Sequence, residues 1–146
     1  MKINIKKLND AAVIPSRGSQ YAAGYDLHAL VGEGESVAIY PHTTYGIGTG
    51  IAVEIPNGYF GGIYARSGLS CKKGLRPGNC VGVIDADYRG EIRVALHNDS
   101  NTVQVIHNGD RIAQLVIQPY LDVEFNKVDE LTDTNRGAGG FGHTGR

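Results

Sequence analysis

Gly46-Ile47-Gly48-Thr49-Gly50-Ile51-Ala52-Val53-Glu54-Ile55 is the stretch whose periodicity decides the fold. Ile47, Thr49, Ile51, Val53 and Ile55 recur at every second position, so an extended chain sends all of them to one face, whereas a helix would scatter them around its axis. The stretch reads as one strand over residues 47–55 with its back on a core. Comparable short runs lie on either side, at residues 2–7, 36–40, 59–64, 80–84, 91–96, 102–106, 112–117 and 121–125. Turn chemistry separates them, as in Gly32-Glu33-Gly34, Pro56-Asn57-Gly58 and Asn108-Gly109-Asp110. Many short strands at this spacing build a sandwich, a jelly roll or a small barrel, so an all-β fold is expected.

Composition bounds that reading. A chain of 146 residues makes one ordinary domain and buries close to ~70% of its unfolded surface. Thirteen Ile and 12 Val against 9 Leu favour strands over a helical bundle. Glycine, at 21 residues, is about twice its usual share without any Gly-X-Y period, which indicates turns and excludes a collagen helix. Fourteen Lys and Arg balance 15 Asp and Glu, a formal charge of −1, so no basic field exists to hold a nucleic-acid backbone. No apolar run approaches ~18 residues, and none follows Lys2, Lys6 and Lys7, so neither a membrane span nor an export signal is expected and the location is read as cytoplasmic. Cys71 and Cys80 fit neither a redox pair nor a zinc set and read as reduced thiols. His28, His42, His97, His107 and His143 lack the spacing that puts two imidazoles on one metal, and no zinc is assigned.

Three segments carry polar chemistry. Ser67-Gly-Leu-Ser-Cys-Lys-Lys-Gly74 predicts one short helix, with Ser67 as a possible N-cap and Gly74 just past its end. Arg66 and Ser67 then stand at the helix end that favours anions; as structure alone they are a surface charge and a cap. Asp85-Ala-Asp87-Tyr88-Arg89-Gly90 follows an apolar run, and alternation would send both carboxylates to one side, to hold a metal or divide base and structural duties. Residues 131–146 hold too many glycines to build a core and read as a flexible arm after a domain of residues 1–130. Gly137, Gly139 and Gly142 match G-x-G-x-x-G, yet only four residues remain after them, so no dinucleotide fold follows. Backbone amides, Arg136 and Phe141 still suit phosphates and a base.

In order and spacing, Ala23-Gly-Tyr-Asp-Leu-His-Ala29, Ala65-Arg-Ser-Gly-Leu-Ser70, Gly82-Val-Ile-Asp-Ala-Asp-Tyr-Arg-Gly90, Gly109-Asp-Arg-Ile-Ala-Gln-Leu115 and Arg136-Gly-Ala-Gly-Gly-Phe-Gly-His-Thr-Gly145 resemble the trimeric-type dUTPases over nearly the whole chain. The resemblance implies a jelly-roll subunit with one short helix, in a homotrimer whose interfacial active sites are closed by the C-terminal arm. It implies hydrolysis of dUTP to dUMP and pyrophosphate with Mg²⁺ on the triphosphate. Asp85 would activate the water, and Tyr88 would pack on the deoxyribose and exclude a 2′-hydroxyl. Asn79 and the backbone from Gly82 to Val83 would read uracil. Arg66, Ser67, Gly68 and Gln114 would hold phosphate oxygens, and Asp26 would meet the metal through water. Arg136 would neutralise the terminal phosphate and Phe141 would lie over the uracil ring, with Gly142 also contacting the substrate.

Two departures from the family pattern bear on this expectation. Ala65 stands where the family usually has Pro, which affects local rigidity. His143 replaces the usual Ser, and weaker arm closure is expected. A dCTP deaminase, which shares the fold, needs a Glu-type acid/base elsewhere in the third motif. A non-catalytic nucleotide-sensing module would leave intact Asp85, Tyr88, Arg136 and Phe141 without a purpose.

Overall fold

The alternation of residues 47–55 holds, but one strand does not run through it. In the structure, a computed structural model describing residues 1–140, the stretch divides into strands that belong to different sheets. Twelve strands are present among the described residues: β1 (Asn4–Lys7), β2 (Ser16–Arg17), β3 (Tyr25–His28), β4 (Ser36–Ile39), β5 (Thr44–Gly48), β6 (Ile51–Glu54), β7 (Tyr59–Tyr64), β8 (Leu75–Pro77), β9 (Gly82–Ile84), β10 (Arg93–Asn98), β11 (Gln104–His107) and β12 (Arg111–Pro119). A single helix, α1 (Ser67–Lys73), follows β7. β5 pairs with β10 and β6 with β1, so the chain changes partners at Thr49-Gly50.

Gly50 permits that change. Its φ is +67°, and a Cβ there would lie 2.4 Å from Leu30 Cδ2 and 2.8 Å from Ala12 Cβ, so only glycine fits. All the alternating residues remain buried: Ile47 and Ile51 at no more than 1% exposure, Thr49 at 2%, Ile55 at 2% and Val53 at 6%. Thr49 spends its hydroxyl on the carbonyl of Ile92 at 2.6 Å, which satisfies the one polar group on that face. Leu27, Ile39, Leu75, Ile92, Leu96, Ile106 and Ile112 complete a core between the sheets.

All strand pairs are antiparallel, in sheets ordered β1-β6, β5-β10-β8, β11-β4 and β2-β3-β12-β7-β9. This is the expected all-β jelly-roll architecture with one short helix. Several expected runs shift by a residue or two, and two further expectations fail. Residues 121–125 form no strand: Leu121 and Phe125 are 85% and 94% exposed, and among the described residues no strand pairs with this stretch. Ser67 is not the N-cap; Arg66 is, with an extended backbone and no side-chain cap bond, while Gly74 closes the helix in the left-handed conformation as expected. β2, β3 and β8 were not anticipated. β8 is only three residues and ends in Pro77, tolerable because it is the edge strand of its sheet. Among the described residues no helix is long and apolar enough to cross a membrane.

Candidate active site

The five-stranded sheet assembles the first half of the site. β12 lies between β3 and β7, and its Gln114 is in register with Asp26 on one side and Tyr64 on the other. Registered residues in neighbouring strands share a face, so Asp26 and Gln114 stand side by side. Gln114 Nε2 donates to the carbonyl of Ala65 at 3.0 Å and so pins the backbone entering α1, at the point where proline is absent. Arg66 follows, and its carbonyl accepts from Leu69 and Ser70 at 3.0 and 2.9 Å. The amides of Ser67 and Gly68, in the first turn, have no intrahelical acceptor.

Asp26 organises the charges there. Its Oδ1 accepts from Arg66 Nε at 2.9 Å and its Oδ2 from Arg111 Nη1 at 3.2 Å, with the carboxylate side chain only 15% exposed. A concavity of about 230 Å³ opens beside them, lined by Gly18, Asp26, Arg66, Ser67, Gly68, Arg111 and Gln114. Two guanidinium groups and the free amides of a helix start suit a multiply charged anion. Arg111 was not singled out from the sequence, although it lies inside the motif Gly109–Leu115; a bulge in β12 between Arg111 and Ala113 sets its position. His28, two residues beyond Asp26 on β3, has a buried Nδ1 with no hydrogen-bond partner among the described residues. Burial holds its pKa below the usual imidazole value, against the pull of Asp26, and the charges of Arg111 and Arg66 add to the lowering.

The second half of the site lies on the far end of β7. β9 pairs with β7 through Gly82↔Ile63, Val83↔Gly62 and Ile84↔Gly61. The chain then turns: Tyr88 N donates to Asp85 O at 3.2 Å, so Asp85 opens a turn and Asp87 lies within it, and strand alternation does not place them. Both still line one concavity, of about 640 Å³, together with Asn57, Phe60, Val83 and Tyr120. Tyr88 Oη donates to Glu91 O at 3.0 Å. Its ring leans over Gly90, where a Cβ would lie 2.4 Å from Oη, so glycine is what lets the phenol take this position. Gly82 is buried, Val83 is 57% exposed, and Asn79 sits above Gly82, where a Cβ would be 3.1 Å from Nδ2.

The two halves do not meet within one chain. Asp85 follows the Ile84↔Gly61 pair, near the start of β7, whereas Arg66 follows its end. The separation is roughly 17–20 Å, five to six residues at about 3.3 Å each. That exceeds the reach of a triphosphate chain. Arg136 is also apart from both: its Nε donates to Gly139 O at 2.9 Å within the exposed C-terminal segment. Phe141, Gly142 and His143 lie outside the described residues.

Among the described residues no group of three His, Cys, Asp or Glu side chains converges to cage a metal. Asp26 fits a different arrangement. Its two oxygens already serve arginines, yet a carboxylate has about four lone-pair sites, and Mg²⁺ commonly keeps its waters and rides on phosphates beside one carboxylate. The donor set therefore suits an ion carried in by its anion and met through water.

A dUTPase family profile matches residues 10–145. The chain is similar to the deoxyuridine 5′-triphosphate nucleotidohydrolase of Nautilia profundicola, 51% identical over 146 residues and covering 100% of both. It is 46% identical to the same-named protein of a Picosynechococcus species over 99% of both. Among solved structures, the dUTPase of Staphylococcus bacteriophage 80alpha, bound to dUpNHpp, superposes with a TM-score of 0.88 at 31% identity over 99% of each chain.

Proposed function

Since the chain belongs to the dUTPase family and is an enzyme that hydrolyses dUTP, we propose that each triphosphate is shared between copies of the chain, with Asp85 of one facing the Arg66 cradle of another. The observation that carries this reading is the separation of the two halves along β7, which a homotrimer with interfacial sites removes. Exposed apolar side chains, including Ile5 at 37%, Leu121 and Phe125, suit burial between copies.

In this reading Asp85 holds a water and takes its proton as the water oxygen bonds to the α-phosphorus. The bond from that phosphorus to the bridging oxygen breaks, and pyrophosphate leaves dUMP behind. A carboxylate is a weak base, so alignment and charge neutralisation supply much of the rate. Arg66, the amides of Ser67 and Gly68, Gln114 and Arg111 hold the phosphate oxygens; Asp26 keeps the arginines aimed and would be the carboxylate to hold a metal's water shell. Mg²⁺, when bound with the triphosphate, would supply further charge neutralisation. Asn79 and the backbone of Gly82 and Val83 read the uracil edge, whose donors and acceptors cytosine exchanges. Residues 131–146 act as an arm on the 1–130 domain, bringing Arg136 to the terminal phosphate, Phe141 over the base and Gly142 to the substrate. A cytoplasmic location agrees with the free, exposed thiols of Cys71 and Cys80.

The test is a panel of dUTP, dTTP, dCTP and UTP with Mg²⁺, read by pyrophosphate and ammonia release. Pyrophosphate from dUTP alone is expected; ammonia from dCTP would favour deaminase chemistry instead. Gly90→Ala extends the test to the sugar, because the added methyl displaces the Tyr88 ring. It is expected to lower the preference for dUTP over UTP by about 10-fold or more, since a packed contact of this kind discriminates by ~10–200-fold. An unchanged preference would remove Tyr88 from the sugar site.

A further inference from the structure

Between β8 and β9 the chain leaves one sheet for another, and the connection is residues 78–81 alone. All of these residues are exposed, so the connection lies outside the apolar core. The connection is also tightly bent: Cys80 N donates to Pro77 O at 3.1 Å, Val81 N to Asn79 O at 2.7 Å, and Cys80 has a φ of +63°. A non-glycine residue in that region is held there by its surroundings.

The amide of Gly78 ties the start of the connection to Ala95 O of β10 at 2.7 Å, and the side chain that reaches its middle is Arg76. Its Nη1 lies 3.3 Å from Pro77 O and 3.6 Å from Cys80 Sγ. Its Nε and Nη2 form a fork on Asp99, at 2.6 Å to Oδ2 and 3.0 Å to Oδ1. Asp99 is itself anchored. Its amide donates to Gly74 O at 2.8 Å, and its Oδ1 lies 3.4 Å from His97 Nε2, while the other nitrogen of that ring is 2.9 Å from Thr44 Oγ1. A polar chain thus runs from β5 across β10 and β8 to the turn that carries Asn79.

We propose that Arg76, clamped by Asp99, is a positioning residue for the 78–81 connection and thereby sets the affinity for dUTP and its preference over dCTP. This rests on the reading that Asn79 and the neighbouring backbone contact uracil. On that reading the contact to uracil belongs to Asn79 and its neighbouring backbone, and Arg76 and Asp99 act through them. With side chains 35% and 44% exposed, the pair is screened by water and adds only modestly to stability even as a fork. Its fork does fix the plane and direction of the guanidinium, which lysine cannot do. A base-reading loop is sensitive to such direction, because small displacements misalign every hydrogen bond it makes.

The experiment measures kcat and KM for dUTP and kcat/KM for dCTP, with thermal midpoints, in Arg76→Met, Arg76→Lys, Asp99→Asn, the Arg76→Met/Asp99→Asn double variant and Asn79→Ala. Arg76→Met is expected to raise KM for dUTP about tenfold and lower the dUTP-over-dCTP ratio about as much, with kcat within about twofold. Its thermal midpoint is expected to stay near that of the wild type. Asp99→Asn should act in the same direction, the double variant should be no worse than Arg76→Met, and Arg76→Lys should recover only part of the loss. Unchanged KM and ratio in Arg76→Met, with Asn79→Ala impaired, would overturn the clamp alone. A lower thermal midpoint with KM and ratio intact would make Arg76 merely structural and overturn it too. If Asn79→Ala leaves KM for dUTP unchanged, the uracil reading fails and the clamp with it.

Discussion

Asp85→Asn should bind dUTP and hardly hydrolyse it, with kcat lower by about 10³-fold, within the ~10²–10⁴ that a positioned general base contributes. The amide keeps the shape of the side chain but cannot take a proton from water. Asp85 is exposed and makes no side-chain hydrogen bond among the described residues, so the change should leave the fold intact, within about 0.5 kcal/mol. Asp87 is the internal control. It borders the same concavity, and Asp87→Asn should cost far less if the two carboxylates are not equivalent. Pyrophosphate release at saturating dUTP measures both. A fully active Asp85→Asn enzyme would remove the base from the mechanism.

Arg66→Gln should be nearly as damaging, through kcat/KM for dUTP, which is expected to fall by about 10²–10³-fold, the range for losing one preorganised donor to developing charge. The substitution removes a positive charge from the cradle. It also leaves Asp26, the acceptor for both Arg66 and Arg111, with a single guanidinium partner. Arg66→Lys should recover little, because an ammonium restores charge without the fork that binds Asp26 and a phosphate together. Wild-type kcat/KM in either variant would show that the phosphates sit elsewhere.

How far the sequence could be read depended on what each feature encodes. Period-two alternation reports which side chains are buried, and for Ile47, Thr49, Ile51, Val53 and Ile55 that was right. It does not report hydrogen-bond partners, so the change of sheet at Gly50 passed unseen, the alternation being unbroken there. Leu121, Val123 and Phe125 alternate as well, yet alternation alone makes no strand, and among the described residues none pairs with them. β8 was too short, and its Pro77 too unlike a strand residue, for any pattern to mark it. At the candidate site, Arg66 at a helix start was legible from Ser67 to Gly74, although Arg66 itself turned out to be the cap. Joining Asp26 to Arg66 and Arg111 required the register of β3, β12 and β7, which links residues 40 and 85 positions apart. No local spacing carries that information.

The separation of Asp85 from Arg66 along β7 makes the most direct test a mixing experiment. Asp85→Asn and Arg66→Gln chains, each inactive alone, are co-folded in equal amounts and assayed for pyrophosphate from dUTP. In a homotrimer with sites between neighbours, random assembly pairs an intact Asp85 with an intact Arg66 in about one site in four, so about a quarter of the wild-type rate should return. A mixture no more active than either variant alone would mean that both residues act from the same chain, and the shared site would be wrong.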